Sequence, residues 1–324
     1  MNETNPKSKI QNLKSKMRIV SIDVGTNTAF LLVADVEPGG RLVSVYEARR
    51  FIRLGEGVDA SRQVSAAAMQ RLRAALLEYK TLARDYDAEA VVVGATSASR
   101  DAGNRAALID FVRRETGLQY EVLSGLEEAA LSFRGALSAI DGLDGPCAVM
   151  DIGGGSTESV VCEATGGITA RHSLDVGSVR LTERFFAGQP PADKAVRRAE
   201  AFVTRTLNAA AIPLDAAIPL ISAAETPLLV ALLDRGVSSW GNLGTDDVTL
   251  TAGTVRRWRE RLLAMPYDAV LALDPTLMEG RADVAPAAVL LFDTVMRHFG
   301  LAACRVSPRS LRHGLALRYA AQRV

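Results

Sequence analysis

Two copies of one short pattern constrain this chain more than any other feature. Asp23-Val24-Gly25-Thr26-Asn27-Thr28 and Asp151-Ile152-Gly153-Gly154-Gly155-Ser156 both read as Asp, aliphatic, Gly, any residue, Asn or Gly, then Thr or Ser, and their aspartates stand 128 residues apart. Each follows an apolar run, Met17 to Ile22 in the first copy and Ala148 to Met150 in the second, and each leads into another apolar run. The pattern predicts strand, turn, strand. Glycines let backbone N–H groups approach an anion without hindrance from Cβ, and Thr or Ser hydroxyls add donors. One Gly-rich hairpin is most simply a turn. Two at domain-scale spacing imply a duplicated fold whose paired phosphate loops face each other across a central cleft. Asp151 and Glu158 also bring two carboxylates to the mouth of the second loop, where they could hold a hard cation such as Mg²⁺.

The 324 residues suffice for two domains, and 48% apolar with 23% charged residues is a globular composition. The formal charge of +1 includes Lys7, Lys9, Lys14 and Lys16, so the body of the chain is slightly acidic. No bulk basic field attracts nucleic acid, and any polyanion must be held by a local site. The three cysteines, Cys147, Cys162 and Cys304, are odd in number and lack CxxC spacing, as expected of reduced thiols in a cytoplasmic protein. No apolar stretch approaches the ~18 residues of a membrane span. Residues 1–16 are polar, lack the apolar core of a signal peptide, and are expected to form a disordered tail.

Strands are predicted over 18–24, 28–36 and 41–53, then a helix over 65–86, a strand at 90–94 and a helix over 104–115. This β-β-β-α-β-α order is that of a ribonuclease H-like core. The loop from Ala95 to Asn104 leaves the carboxyl end of a buried strand, where open α/β sheets bind ligands, which makes Arg100 a candidate phosphate clamp or a simple loop cap. After a strand at 120–123, Ser124 followed by Glu127 fits a helix capping box. That helix should run to about Ile140, ahead of the clearest break in the chain, Asp141 to Pro146, which is read as a hinge between domains 17–140 and 147–324. In the second domain the predicted strands are 147–151, 157–163, 167–174 and 220–222. Helices follow at 192–210, 224–235, 248–263 and 282–299, with a last strand at 305–307 and a last helix at 308–322 that could pack back on the first domain.

Taken in order, the two Asp-Gly loops, Thr96 to Asn104, Ser124-Gly125-Leu126-Glu127-Glu128-Ala129, Gly177 to Thr182, Arg281-Ala282-Asp283-Val284 and Arg312 resemble the exopolyphosphatase / guanosine pentaphosphate phosphatase family, in the sugar kinase, Hsp70 and actin clan. The resemblance spans nearly all of 17–318 and is to the short, two-domain form. It implies an Mg²⁺-dependent hydrolase that removes terminal phosphate from inorganic polyphosphate or guanosine pentaphosphate. Glu127 would be the general base that activates water, and Asp151 and Glu158 would position Mg²⁺. Gly25, Thr26, Asn27 and Thr28 on one side, and Gly153, Gly154, Gly155, Ser156 and Thr157 on the other, would bind the phosphates, with Arg100 adding charge stabilisation. Pairing into a homodimer through the second domain is a further expectation.

The chain departs from the family at Ser222-Ala223-Ala224-Glu225-Thr226, where a Gly-Thr-Ser-Gly-Thr loop is usual; both glycines are missing and Glu225 adds a negative charge. Arg312-His313-Gly314 replaces the usual Arg-Glu-Gly. These changes motivate an alternative, a catalytically impaired protein that binds polyphosphate or guanosine tetraphosphate. A sugar-kinase-like phosphotransferase is a weaker third reading, because it needs the same altered loop.

Overall fold

The computed structural model describes residues 16–140, 142–143, 145–163, 167–223, 225–238 and 248–323. Residues 1–15 of the expected tail, Asp141 and Asp144 of the expected hinge, and Ala224 of the altered loop lie outside them. Lys16, at the end of the expected tail, is ordered against the body: its Nζ donates to Asp35 at 2.7 Å.

The first half runs β1 (Met17–Val24), β2 (Thr28–Val36), β3 (Leu42–Phe51), α1 (Val58–Ser61), α2 (Ala66–Asp85), β4 (Ala90–Ala95), α3 (Ser97–Asp101), α4 (Arg105–Thr116), β5 (Glu121–Val122) and α5 (Gly125–Leu137). The second runs β6 (Cys147–Ile152), β7 (Thr157–Cys162), β8 (Ile168–Leu174), α6 (Ser178–Phe185), α7 (Asp193–Ala210), β9 (Leu220–Ala223) and α8 (Glu225–Arg235). It continues with β10 (Val248–Thr251), α9 (Ala252–Leu263), α10 (Tyr267–Leu273), α11 (Pro275–Met278), α12 (Ala285–His298), β11 (Ala303–Val306) and α13 (Leu311–Gln322). The strand orders are β3-β2-β1-β4-β5 and β10-β11-β9-β6-β7-β8. In both sheets the Asp-bearing strand is central, antiparallel to the next strand in sequence and parallel to a later one: β1 to β4, and β6 to β9. The fold is α/β, two ribonuclease H-like domains, each with a mixed sheet.

Alternation along the central strands explains why both faces of each sheet are covered. On β1, Val20, Ile22 and Val24 pack with Leu72, Leu76 and Tyr79 of α2 and Leu108 and Val112 of α4, while Ile19 turns to the opposite face and meets Ala316 and Leu317 of α13. On β6, Ala148, Met150 and Ile152 join the large core built with α7, α9 and α12, while Cys147 and Val149 turn toward Ala129, Phe133 and Ala136 of α5.

Helices α5 and α13 are therefore exchanged. The first sits on the second sheet, and the last helix of the chain does pack back on the first, where Ser21 Oγ donates to the Arg312 carbonyl at 2.6 Å. Two glycines let them cross backbone to backbone. A Cβ on Gly135 would lie 2.0 Å from the Ser310 carbonyl oxygen, and one on Gly314 would lie 2.0 Å from that of Leu131. This exchange corrects the expected hinge. The break from Asp141 to Pro146 joins α5 to β6, two elements of the same lobe, so the chain passes between lobes at 123–124 and 307–310 instead. One further expectation changes: 248–263 is not one helix. Val248 to Thr251 alternate buried and exposed and pair antiparallel with β11, and Thr251 then caps α9 by accepting from Thr254 N.

Candidate active site

The two loops close in the same way. Gly25 N donates to Thr28 O at 2.9 Å and Gly153 N donates to Ser156 O at 3.0 Å. They also touch each other. A Cβ on Gly155 would fall 2.5 Å from Ser97 Oγ and 2.6 Å from Thr26 Oγ1, so this glycine is required for the lobes to approach. The carbonyls of Gly153 and Gly154 accept from Ser178 N and Val179 N at the start of α6, at 3.0 and 2.8 Å. The loop is thus fixed from behind.

Between the lobes lies a cavity of about 2040 Å³. Gly25, Thr26, Asn27 and Thr28 line it from the first lobe, with Gly153, Gly154, Gly155 and Ser156 from the second, and Asp23, Glu128 and Asp151 at its base. Nearly all of the expected phosphate-binding residues are therefore brought together. Thr157 is the exception, fully buried with its hydroxyl donating to the Val176 carbonyl at 2.7 Å, a structural bond.

Glu127, the expected base, does not face the cavity, and its neighbour Glu128 does. Glu127 is exposed at the first turn of α5, where its carboxylate accepts from Ser124 N at 2.8 Å and from Ser124 Oγ at 2.7 Å, closing a capping box that holds its proton affinity below the usual carboxylate range. It does not line the cavity. One helical position later, about 100° around the axis, Glu128 is buried and does. Its Oε2 accepts from Arg100 Nη1 at 2.8 Å, yet burial outweighs that guanidinium and, with Asp151 and Asp101, raises the carboxyl to about 7.

Arg100 is held in place by Glu128 and by the Leu123 carbonyl at 3.1 Å, with its second Nη 3.5 Å from Ser156 Oγ. It stands behind the cavity wall rather than in it. Asp151 and Glu158 face each other across β6 and β7, but only Asp151 reaches the cavity; Glu158 is buried behind it and accepts from Ser173 Oγ at 2.8 Å. Burial, reinforced by repulsion from Glu128 and Asp151, pushes Asp23 and Glu158 well above the ordinary range, and burial also raises Asp151. Carboxylates gathered in this way offer the hard oxygen donors that suit a divalent cation. Among the described residues, no three His, Cys, Asp or Glu are grouped closely enough to enclose a metal alone. Such a set fits Mg²⁺, which is usually bound through one or two carboxylates, with water and substrate phosphates completing the shell.

Sequence reasoning left three arginines of the cleft without a site role. Arg312 of α13 lines the cavity, pairs with Glu47 at 2.7 Å, stands over the Phe30 ring and favours ionised Asp23 and Asp151. Arg49 of β3 and Arg281, ahead of α12, meet at Glu225, so the carboxylate of the altered loop is engaged by arginines of both lobes. The spacing of Arg49, two residues before Phe51 on the cleft strand, was the available signal.

Comparison with known proteins agrees with this geometry. Exopolyphosphatase 2 of Mycobacterium tuberculosis is 34% identical over 314 residues, which is 93% of this chain and 98% of that protein. The crystal structure of an exopolyphosphatase-like protein superposes with a TM-score of 0.87 at 29% identity, covering 94% of this chain and 98% of its own. That of the Aquifex aeolicus Ppx/GppA family member gives 0.75 at 26% identity, covering 95% and 99%. The family model described as the Ppx/GppA phosphatase family matches residues 32–322, and with the duplicated loops, the exchanged helices and the carboxylate-lined cleft this establishes that the chain belongs to that family.

Proposed function

We propose that this chain is an Mg²⁺-dependent phosphoanhydride hydrolase that removes the terminal phosphate of inorganic polyphosphate, with guanosine pentaphosphate as the second candidate substrate. The observation that carries this reading is Glu128: a buried carboxylate in the cavity wall, oriented by Arg100, with a proton affinity near neutrality. Such a group is about half ionised at physiological pH and can take a proton from water. The water oxygen attacks the terminal phosphorus, the bridging P–O bond breaks, and the shortened chain leaves with the bridging oxygen. Glu128 receives the proton of the attacking water.

The N–H groups and hydroxyls of 25–28 and 153–156 would hold the phosphates from both lobes, as preorganised donors do for developing charge. Asp151, backed by Glu158 and opposite Asp23, would hold Mg²⁺, which supplies charge neutralisation at the phosphoryl oxygens. Arg100 acts through Glu128 as a positioning residue. A cytoplasmic location and a homodimer remain part of this proposal and rest on the family. Among the described residues no helix is long and apolar enough to cross a membrane.

Retention of a positioned base favours turnover over a binding-only role. The test is phosphate release, with Mg²⁺, from long-chain polyphosphate and from guanosine pentaphosphate in parallel. Release from either supports the proposal and ranks the two substrates. Binding of both without release supports the binding-only alternative.

A further inference from the structure

Three charged side chains from distant parts of the chain meet at the far side of the cavity. Arg281 Nη2 donates to Glu225 Oε1, and Arg49 Nη1 lies 3.5 Å from the same oxygen. Arg49 belongs to β3 of the first lobe, Glu225 opens α8 of the second, and all three line the cavity that holds the two Asp-Gly loops. Both guanidinium groups stand by the Phe51 ring, 5.8 Å and 5.3 Å from its centroid. Burial together with the neighbouring Arg281 pushes Arg49 down to about 10, a sign that the two cations repel and that Glu225 holds them together.

An internal phosphate of a polyphosphate chain carries one negative charge on two free oxygens. A carboxylate has the same charge and the same number of acceptor atoms, and the planar guanidinium fork accepts either. We propose that Glu225 sets chain-length specificity: its carboxylate occupies the place of a phosphate on Arg49 and Arg281, and a phosphoanhydride chain long enough to reach that pair must displace it. This rests on the phosphoanhydride reading of the cleft. Displacement exchanges one anion for another on the same cations. A long chain therefore gains little over a short one from contacting the pair, and the wild-type protein discriminates weakly by length.

The experiment measures equilibrium binding of long-chain inorganic polyphosphate and of tripolyphosphate, in EDTA so that nothing turns over, for wild type, Glu225→Gln and the double variant Glu225→Gln/Arg49→Gln. Thermal unfolding of each and phosphate release with Mg²⁺ are recorded alongside. Removing the competing charge should raise the long-to-short affinity ratio about tenfold in Glu225→Gln, the scale of one charged hydrogen bond, and adding Arg49→Gln should remove that gain. A gain in the single variant that the double variant loses supports the inference. A folded Glu225→Gln protein whose ratio is unchanged or lower overturns it. Should Glu225→Gln not fold, Glu225→Ala decides: a raised ratio supports the inference and an unchanged one overturns it. A wild type that releases no phosphate, beside a Glu225→Gln variant with a raised ratio, overturns the hydrolase and leaves this inference standing. Release with an unchanged ratio does the reverse.

Discussion

Arg100 donates from Nη1 to Oε2 of Glu128 at 2.8 Å, and this bond links α3, which follows β4 in one lobe, to the start of the exchanged helix α5. The guanidinium favours the ionised carboxylate and so opposes the upward pull of burial. Arg100→Gln removes that opposition. The acid limb of kcat/KM, near 7 in wild type, should move upward by about one pH unit, with activity at pH 9 less affected than at pH 6. Arg100→Lys should restore part of the shift. An acid limb that stays in place while the rate falls uniformly would count against a role through Glu128.

The same carboxylate makes a stability prediction. Its proton affinity is raised in the folded protein to about 7 from 4.5, so the folded state binds the proton more tightly than the unfolded state. That contribution is fully present below the unfolded value and is lost as pH rises through the folded one. Glu128→Gln carries no such loss. The variant should gain on wild type between pH 4.5 and 7, by up to about 3 kcal/mol at pH 8. Urea unfolding at pH 5 and pH 8 without Mg²⁺ measures it, and a gap that narrows with pH would contradict the account.

A second bridge between lobes is ionic. Asp59 of α1 pairs with Arg180 and Arg184 of α6, and Arg180 also donates to Asp101 of α3. Arg180 is 6% exposed, so removing Asp59 leaves a largely buried charge with Asp101 as its remaining carboxylate. Asp59→Asn should cost about 2 kcal/mol, the scale of a charged hydrogen bond. It should also speed cleavage between the lobes in limited proteolysis. Because Arg184 and Arg180 hold the Asp59 carboxyl below its ordinary range, the wild-type advantage is present above the unfolded carboxylate value and vanishes as pH falls through the folded one.

The crossing of α5 and α13 leaves no room for a methyl group. Gly314→Ala would drive a Cβ to 2.0 Å from a carbonyl oxygen of the other helix, and backbone cannot swing aside as a long side chain can. The variant should lose about 3 kcal/mol or more in equilibrium unfolding. Gly188→Ala, where a Cβ meets nothing within 4 Å, is the control and should stay near wild type.

Much of this was legible in the residues. The repeated Asp-aliphatic-Gly pattern located both central strands and the cleft, which eight of the nine expected phosphate-binding positions line. The base proposed here, Glu128, lies one residue from the expected Glu127, because Ser124-x-x-Glu127 satisfies a local rule, and a local rule cannot say which way the helix then turns. The buried face of α5 could have decided it. Glu128, Leu131, Ser132 and Gly135 follow helical spacing and are all buried, whereas Glu127 and Arg134 share the exposed face. The hinge was misplaced for a different reason. Asp141 to Pro146 carries every turn signal, but the exchange of α5 and α13 depends on contacts between residues some 180 positions apart, such as Gly135 and Gly314, and no window along the chain contains both. Val248-Thr249-Leu250-Thr251 did show strand alternation and was absorbed into the longer helical pattern that follows it.

The account stands on Glu128 rather than Glu127 as the residue that activates water, and the most direct measurement is phosphate release from polyphosphate by the two single variants, with Mg²⁺ at pH 7.5. Glu128→Gln should lose at least about a hundredfold in kcat, the scale of a general base, with polyphosphate still bound. Glu127→Gln, which keeps the capping box, should remain within a few-fold of wild type. Loss of turnover in Glu127→Gln with Glu128→Gln still active would contradict the assignment.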